Sequence, residues 1–141
     1  MTLQDALARM PHKGAMLLLE RIVEADETMI FCLAHDHSHP DYPLRIEGRL
    51  MAVCLVELGA QAAAAHASLY GEGGHRAGLL LALQGVEVLY NDGDCAVGPL
   101  EARAQRLYFD DSGARYSFDV RDRTREIVRG VAILKMQAGE V

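Results

Sequence analysis

Cysteine and basic residues are both scarce in this sequence, and each shortage excludes a class of protein. The three cysteines, Cys32, Cys54 and Cys95, are widely spaced and odd in number, without a CxxC or Cys/His pattern. Neither a disulfide framework nor a metal site is therefore predicted. Lys and Arg together number 14 against 20 Asp and Glu, which gives a net charge of −6. This acidic balance argues against binding nucleic acid through a broad basic surface.

The sequence also lacks an apolar signal, since residues 1–10 predict a short amphipathic helix without the hydrophobic core of a signal peptide. We therefore expect a cytoplasmic protein. Residues 50–70 have the length of a membrane span, with Glu57 as their only formally charged residue. However, this stretch is rich in alanine and carries Gln61 and His66, and a carboxylate inside a span is costly. The pattern favours a helix buried in a soluble fold, without membrane insertion.

The length predicts a single domain over residues 1–141. After the short helix at 2–10, the pattern predicts two strands, a polar loop, a long apolar helix and four further strands, over residues 16–25, 28–34, 35–48, 49–70, 79–90, 100–109, 115–121 and 127–136. Gly85 is expected to form a bulge. Because the long helix is hydrophobic nearly all round, the sheet must wrap it. This order is typical of the α+β hotdog fold, with about five to six antiparallel strands around a central helix.

Three motifs resemble those of one enzyme family. Residues 11–21 (PHKGAMLLLER) are similar to the PH-x-x-PMLLLDR opening of bacterial 3-hydroxyacyl-ACP dehydratases, and residues 57–63 are similar to the E-x-x-A-Q motif of their central helix. Residues 43–50, followed by that helix and by His66, look closer still to the predicted dehydratases found among aryl-polyene and xanthomonadin-type pigment genes. The resemblance covers roughly residues 10–90, and three motifs in order at suitable distances are a fairly specific signal.

This resemblance implies a hotdog enzyme that eliminates water from a 3-hydroxyacyl thioester and gives the trans-2-enoyl thioester, with acyl carrier protein or coenzyme A as the carrier. No cofactor or metal ion is expected. A single hotdog sheet leaves an unpaired edge, so we expect a homodimer or larger homo-oligomer, or an assembly with a paralogous hotdog subunit. Two alternatives remain open, an acyl thioesterase of the hotdog superfamily and a non-catalytic partner subunit.

Dehydration requires a base for the proton at C2, an acid for the hydroxyl at C3 and donors for the thioester oxygen. Glu57 is the candidate acid, because desolvation on an apolar helix face favours the protonated form of a carboxyl group. The family's base is a loop histidine about fourteen residues before this glutamate, where Pro43 stands here. His12, in the first motif, is the first candidate for the base, and His39, in the loop before the helix, is the second.

Four further residues are predicted to bind the substrate or its carrier. Gln61, one turn beyond Glu57, is expected to orient its carboxyl group or to contact the substrate. Backbone N–H groups around Gly48, at the predicted start of the helix, are expected to stabilise the thioester oxygen. Arg45 and Arg49 flank the predicted site and are expected to dock an acidic carrier protein.

Overall fold

The computed structural model describes residues 17–71, 78–90 and 96–136. In chain order, the elements within these ranges are β1 (Leu19–Ala25), β2 (Met29–Ala34), β3 (Arg45–Ile46), β4 (Arg49–Leu50), a 3-10 turn (Ala52–Leu55), α1 (Val56–Tyr70), β5 (Gly78–Val88), β6 (Glu101–Phe109), β7 (Gly113–Arg121) and β8 (Glu126–Met136). The short helix predicted over residues 2–10 lies outside the described residues.

Six of the described strands form one antiparallel sheet in the order β1-β2-β6-β7-β8-β5, and β3 pairs with β4 in a separate hairpin. Tyr116 and Phe118 show why the sheet folds around the helix, because alternate residues of β7 are buried on its inner face. A register shift between Gln84 and Glu87 and a φ of 57° at Gly85 confirm the predicted bulge in β5. The predicted α+β architecture, a sheet wrapped around one long helix, is confirmed.

The central helix begins later than the pattern predicts. The pattern predicts helix from Arg49, whereas α1 begins at Val56, after the 3-10 turn. The reason lies in the turn before it, because Glu47 and Gly48 have positive φ values of 51° and 77°. Two such residues in succession make the tight turn of a β-hairpin, and β3 pairs with β4 across it. The predicted boundary is therefore wrong, and Gly48 lies in a hairpin turn rather than at a helix start.

Small residues allow the sheet to approach α1 closely. Every residue from Leu58 to Ser68 is buried, and most of them are alanine. A Cβ added to Gly59 would overlap the ring of Phe118 on β7, so this glycine makes room for that ring. The stretch Ala52–Tyr70 is long and apolar enough to cross a membrane, but most of it is buried inside the fold. The interpretation of this stretch as a core helix is confirmed.

Candidate active site

A buried glutamine links the carboxyl group of the helix to the chain that enters β1. Gln61 has no exposed surface, and its Oε1 accepts a 2.9 Å hydrogen bond from the backbone N–H of Leu18. Because that N–H can only donate, the amide oxygen faces Leu18 and the amide NH2 group faces elsewhere. The NH2 group donates to Oε1 of Glu57, one helical turn earlier, at 3.2 Å. The structure thus brings together two of the predicted site residues.

Glu57 lies in the first turn of α1 and is half-buried, whereas Leu58 and the residues that follow it are buried. The neutral amide of Gln61 contacts Glu57 from the same helix. The carboxyl group of Glu57 is thus held in place by a hydrogen bond, and because the side chain is only half-buried it remains accessible at the edge of the core. This arrangement suits a group that exchanges a proton with a ligand.

His39, the second candidate for the base, lies in the loop after β2 with its side chain 69% exposed. Its Nδ1 accepts a 3.0 Å hydrogen bond from the backbone N–H of Asp41 and lies 3.8 Å from the carboxylate of the same residue. These contacts hold the imidazole within its own loop. His12, the first candidate, lies outside the described residues.

Arg45 stabilises the same loop. Its Nε and Nη2 donate to the backbone carbonyl of His37 at 3.2 and 2.9 Å, and its Nη1 donates to the carbonyl of Gly48 at 3.0 Å. Arg45 therefore has a structural contact that the sequence analysis did not predict, while Arg49 is exposed on β4. The predicted oxyanion donors around Gly48 depended on a helix start at that position, and this premise is wrong because Gly48 lies in the hairpin turn.

Two cavities flank the loop after β2. One cavity has a volume of about 360 Å³ and is lined by Leu17, Leu18, His35, Asp36, His39, Asp41, Tyr42 and Pro43. It reaches the Glu57–Gln61 pair through Leu18, whose backbone N–H binds Gln61. A second cavity of about 410 Å³ is lined by Glu20, Ala34, Asp36, His37, Ser38, Ala96, Gly98 and Pro99. The loop histidines are thus divided between two adjoining spaces.

Tyr42 and His37 are residues of this region that the sequence analysis did not select. Burial raises the pKa of the Tyr42 phenol to about 12, and the positive charge of Arg45 opposes this shift. The ring of Tyr42 meets that of His37 edge-on, with centroids 6.4 Å apart. Within the described residues, neither the Tyr42 hydroxyl nor Nδ1 of His37 has a hydrogen-bond partner. The sequence signal that could have identified them is the aromatic Tyr42 within the otherwise polar, histidine-rich segment 35–48.

A second buried polar side chain lies farther along α1. His66 has no exposed surface, and its Nε2 donates to the backbone carbonyl of Asp26 at 2.7 Å. Its Nδ1 therefore accepts the hydroxyl proton of Tyr116, at 2.6 Å, and its ring stacks on Tyr70. Burial lowers the pKa of His66, and the positive charge of Arg106 acts in the same direction. His66 is a packed core histidine.

Among the described residues, no group of three or more His, Cys, Asp or Glu side chains is arranged to hold a metal ion.

Comparison with known proteins gives both a fold and a family. The family model described as ApeP-like, ApeP dehydratase, matches residues 5–136. No curated protein sequence matches the chain. The solved dehydratase heterocomplex ApeI:P from Xenorhabdus doucetiae is similar in structure, with a TM-score of 0.75 and 18% identity, over 98% of this chain and 92% of that one.

Two solved thioesterases have the same hotdog fold. One, from Haemophilus influenzae, has a TM-score of 0.63 and 18% identity, over 83% of this chain and 77% of that one. The other, a hypothetical thioesterase with coenzyme A from Streptococcus pneumoniae, has a TM-score of 0.63 and 12% identity, over 98% and 95%. At such identities these similarities establish the fold, whereas the family model covers nearly the whole sequence. The chain belongs to the ApeP-like dehydratase family, whose members are hydro-lyases.

Proposed function

We propose that the chain removes water from a 3-hydroxyacyl thioester carried by an acyl carrier protein, and that Glu57 is the acid of this reaction. In this step a base takes the proton at C2, the electron pair of that C–H bond forms the C2=C3 double bond, and the C3–O bond breaks. Glu57 donates its proton to the departing hydroxide, so that water and the trans-2-enoyl thioester are released. The observation that carries this assignment is the hydrogen bond from buried Gln61 to a half-buried carboxyl group in a dehydratase.

Gln61 acts as a positioning residue in this proposal. Its amide oxygen is occupied by Leu18, so only its N–H groups face Glu57. An N–H donor favours the oxygen of a carboxyl group that carries no proton. Oε1 of Glu57 is therefore the acceptor oxygen, and the proton to be donated resides on Oε2. Gln61 in this way fixes which of the two oxygens faces the leaving hydroxyl group.

Strand β5 is the proposed docking edge for a second hotdog subunit. It is the last strand in the sheet order, and its large apolar side chains are unusually exposed: Leu80 38%, Leu81 62%, Val86 37% and Val88 36%. An apolar edge strand pairs readily with another chain. Since the similar Xenorhabdus structure is of a heterocomplex, we propose a paralogous hotdog subunit as the partner, with a homodimer as the alternative result.

Arg49 is proposed to contact the acidic carrier protein. It is exposed, whereas Arg45 also holds the loop carbonyls, so Arg49→Glu tests docking without removing a structural contact. We expect Arg49→Glu to raise KM for acyl carrier protein substrates several-fold and to leave KM for the matching pantetheine thioester unchanged, since rim charges act mainly on association. An equal change for both substrates would argue against this docking site.

The experiment that tests the function is incubation of the pure protein with 3-hydroxyacyl carrier proteins of several chain lengths, alone and with a paralogous hotdog subunit. Mass spectrometry distinguishes loss of water from release of the free thiol. Loss of water is the expected result, and a requirement for the second subunit would assign the activity to the complex. Thiol release would support the thioesterase alternative, which the fold also permits. No reaction in either mixture would contradict the proposed substrate.

A further inference from the structure

Strands β6 and β7 lie at the centre of the sheet, and most of their side chains on the side away from α1 are polar or charged. Alternate residues of β7 from Ala114 to Val120 are buried, so the residues between them point away from the helix, on the outer face of the sheet. From this outer face we propose a second interface, at which two copies of this chain pack sheet to sheet about a two-fold axis between β6 and β7. The interface is separate from the β5 edge and does not depend on the reaction of the site.

The outward charges of β6 are paired across the strands with opposite charges on β7. Glu101 is paired with Arg121, and Arg103 is paired with Asp119. A two-fold axis parallel to these strands sets β6 of one copy over β7 of the other. Each residue then faces the partner's copy of the residue with which it is paired in its own chain. Asp119 therefore faces the partner's Arg103, and Arg121 faces the partner's Glu101, so opposite charges meet in both pairs.

These charges do not neutralise one another within the chain. Opposite charges on neighbouring strands often form ion pairs, but in the described part of the chain no ion pair or hydrogen bond joins Arg103 to Asp119 or Glu101 to Arg121. The guanidinium of Arg103 instead stacks on the ring of Phe31, 4.9 Å from its centroid. Burial raises the pKa of the half-buried Asp119 carboxyl group, so its negative charge is only partly stabilised. A cation from a second copy would stabilise it further.

The outer face also has space for a partner's side chain beside Asp119. A cavity of about 360 Å³ opens there and is lined by Thr28, Met29, Arg103, Ala104, Gln105, Ser117 and Asp119. Because these residues include members of both β6 and β7, the cavity lies at the proposed axis. Packed sheets lie about 10 Å apart, so a long side chain from the facing sheet can enter this space.

Apolar side chains border the charged centre on both sides. Met29 on β2 is paired with Gln105, Gln105 with Ser117, and Ser117 with Val131 on β8, so one row crosses the outer face. An axis in the middle of this row sets Met29 over the partner's Val131, and both side chains are half-buried. The whole chain has a net charge of −6, whereas the charges of the two central pairs cancel. The outer face is therefore where two copies meet without net repulsion.

The test is complementation between two charge-reversal variants. Arg103→Glu brings two carboxylates together across the axis, and Asp119→Arg brings two guanidinium groups together. Each variant alone should raise the Kd for association of two copies at least about tenfold, because like charges meet at two symmetry-related positions. Mixed one to one, the variants place opposite charges at both positions, so the mixture should associate nearly as strongly as the wild type. Sedimentation measures the Kd, and native mass spectrometry with one variant isotope-labelled identifies the mixed pair.

Complementation also separates this interface from an effect on folding, since mixing cannot repair a variant that does not fold. Arg49→Glu is the matched control, because it makes the same charge change on the β3–β4 hairpin and should associate like the wild type. A wild-type assembly no larger than that of either variant, a mixture that associates no better than its components, or equal loss of association in the control would each overturn the proposal. By contrast, wild-type protein that associates in this way but dehydrates no 3-hydroxyacyl thioester would refute the proposed function alone.

Discussion

Gln61 and His66 are two of the buried polar side chains of helix α1, and their hydrogen bonds end in different ways. Gln61 binds the backbone of Leu18 on one side and the half-buried carboxyl group of Glu57 on the other. His66 binds the carbonyl of Asp26 and the hydroxyl of the buried Tyr116. The first network reaches an ionisable group at the edge of the core. The second ends at a backbone carbonyl of the β1–β2 turn and at a buried phenol.

This difference separates function from stability on one helix. A buried polar group costs free energy unless it is hydrogen-bonded, and both networks meet that requirement. Only the network of Gln61 delivers its last hydrogen bond to a group that can exchange a proton with a ligand. We therefore expect changes at the Glu57 end to lower activity, and changes at the His66 end to lower stability.

The largest expected effect is at Glu57. Glu57→Gln keeps the size of the side chain and its hydrogen bond with Gln61, once the new amide turns its oxygen towards that residue, but removes the acid. Dehydration should fall by about 10²–10⁴-fold, while the free energy of unfolding stays near the wild-type value. Steady-state kinetics and urea unfolding measure the two effects. Retention of full activity would remove Glu57 from the mechanism and leave the two networks alike.

Gly59, between the two networks, tests stability. Gly59→Ala would place a Cβ inside the ring of Phe118, so one of the two must move. We expect a loss of about 1–3 kcal/mol in the free energy of unfolding, as is usual for overpacked cores. Phe118→Leu should reduce this penalty when the two changes are combined, because the smaller side chain leaves room for the methyl group. Additive losses in the double variant would show that the ring does not set the cost.

Gln61 should affect both properties, each by a moderate amount. Gln61→Leu leaves the buried N–H of Leu18 without its acceptor, which costs about 1–3 kcal/mol of stability, and it also removes the donor to Glu57. Gln61→Met is the matched variant, because it keeps the length of the side chain and its sulfur is a weak acceptor for Leu18, while the donor to Glu57 is lost. We expect both variants to lower kcat by less than Glu57→Gln does, and the methionine variant to lose less stability than the leucine variant. Equal stability in the two variants would argue against the Leu18 contact.

The order of the six sheet strands and the central helix could be predicted from the sequence because it depends on local hydrophobic periodicity, whereas the β3–β4 hairpin was not predicted. The bulge at Gly85 could be predicted for the same reason, since glycine in a strand marks a backbone irregularity. The start of the central helix could not, because it is set by a positive φ at Glu47, a residue type that rarely adopts one. Arg49 and Leu50 pair with β3 across this turn, although the apolar pattern of residues 50–56 is compatible with a helix.

The candidate site could be predicted only in part, because its contacts join distant parts of the chain. Glu57 and Gln61 share a helix face, so their spacing alone brings them together. The acceptor role of Gln61 depends on Leu18, which lies 43 residues away. The ring of His37 contacts the carbonyl of Gly98, which lies 61 residues away. No local pattern predicts either of these two contacts.

The smallest expected effect is the pH dependence that His66 contributes to stability. Burial lowers its folded-state pKa below the ordinary value of 6.5, so below pH 6.5 the unfolded chain binds a proton that the folded chain does not. Stability from this group is therefore complete above pH 6.5 and is lost as the pH falls, at up to about 1.4 kcal/mol per pH unit. Asp26 and Asp122 have folded pKa values below 3.8, so their losses occur at lower pH. His66→Gln should flatten the stability profile between pH 6.5 and about 5, without lowering kcat, whereas Tyr116→Phe should keep the slope. A slope in His66→Gln equal to that of the wild type would assign the titration to another group, and a loss of dehydration would show that the second network is not purely structural.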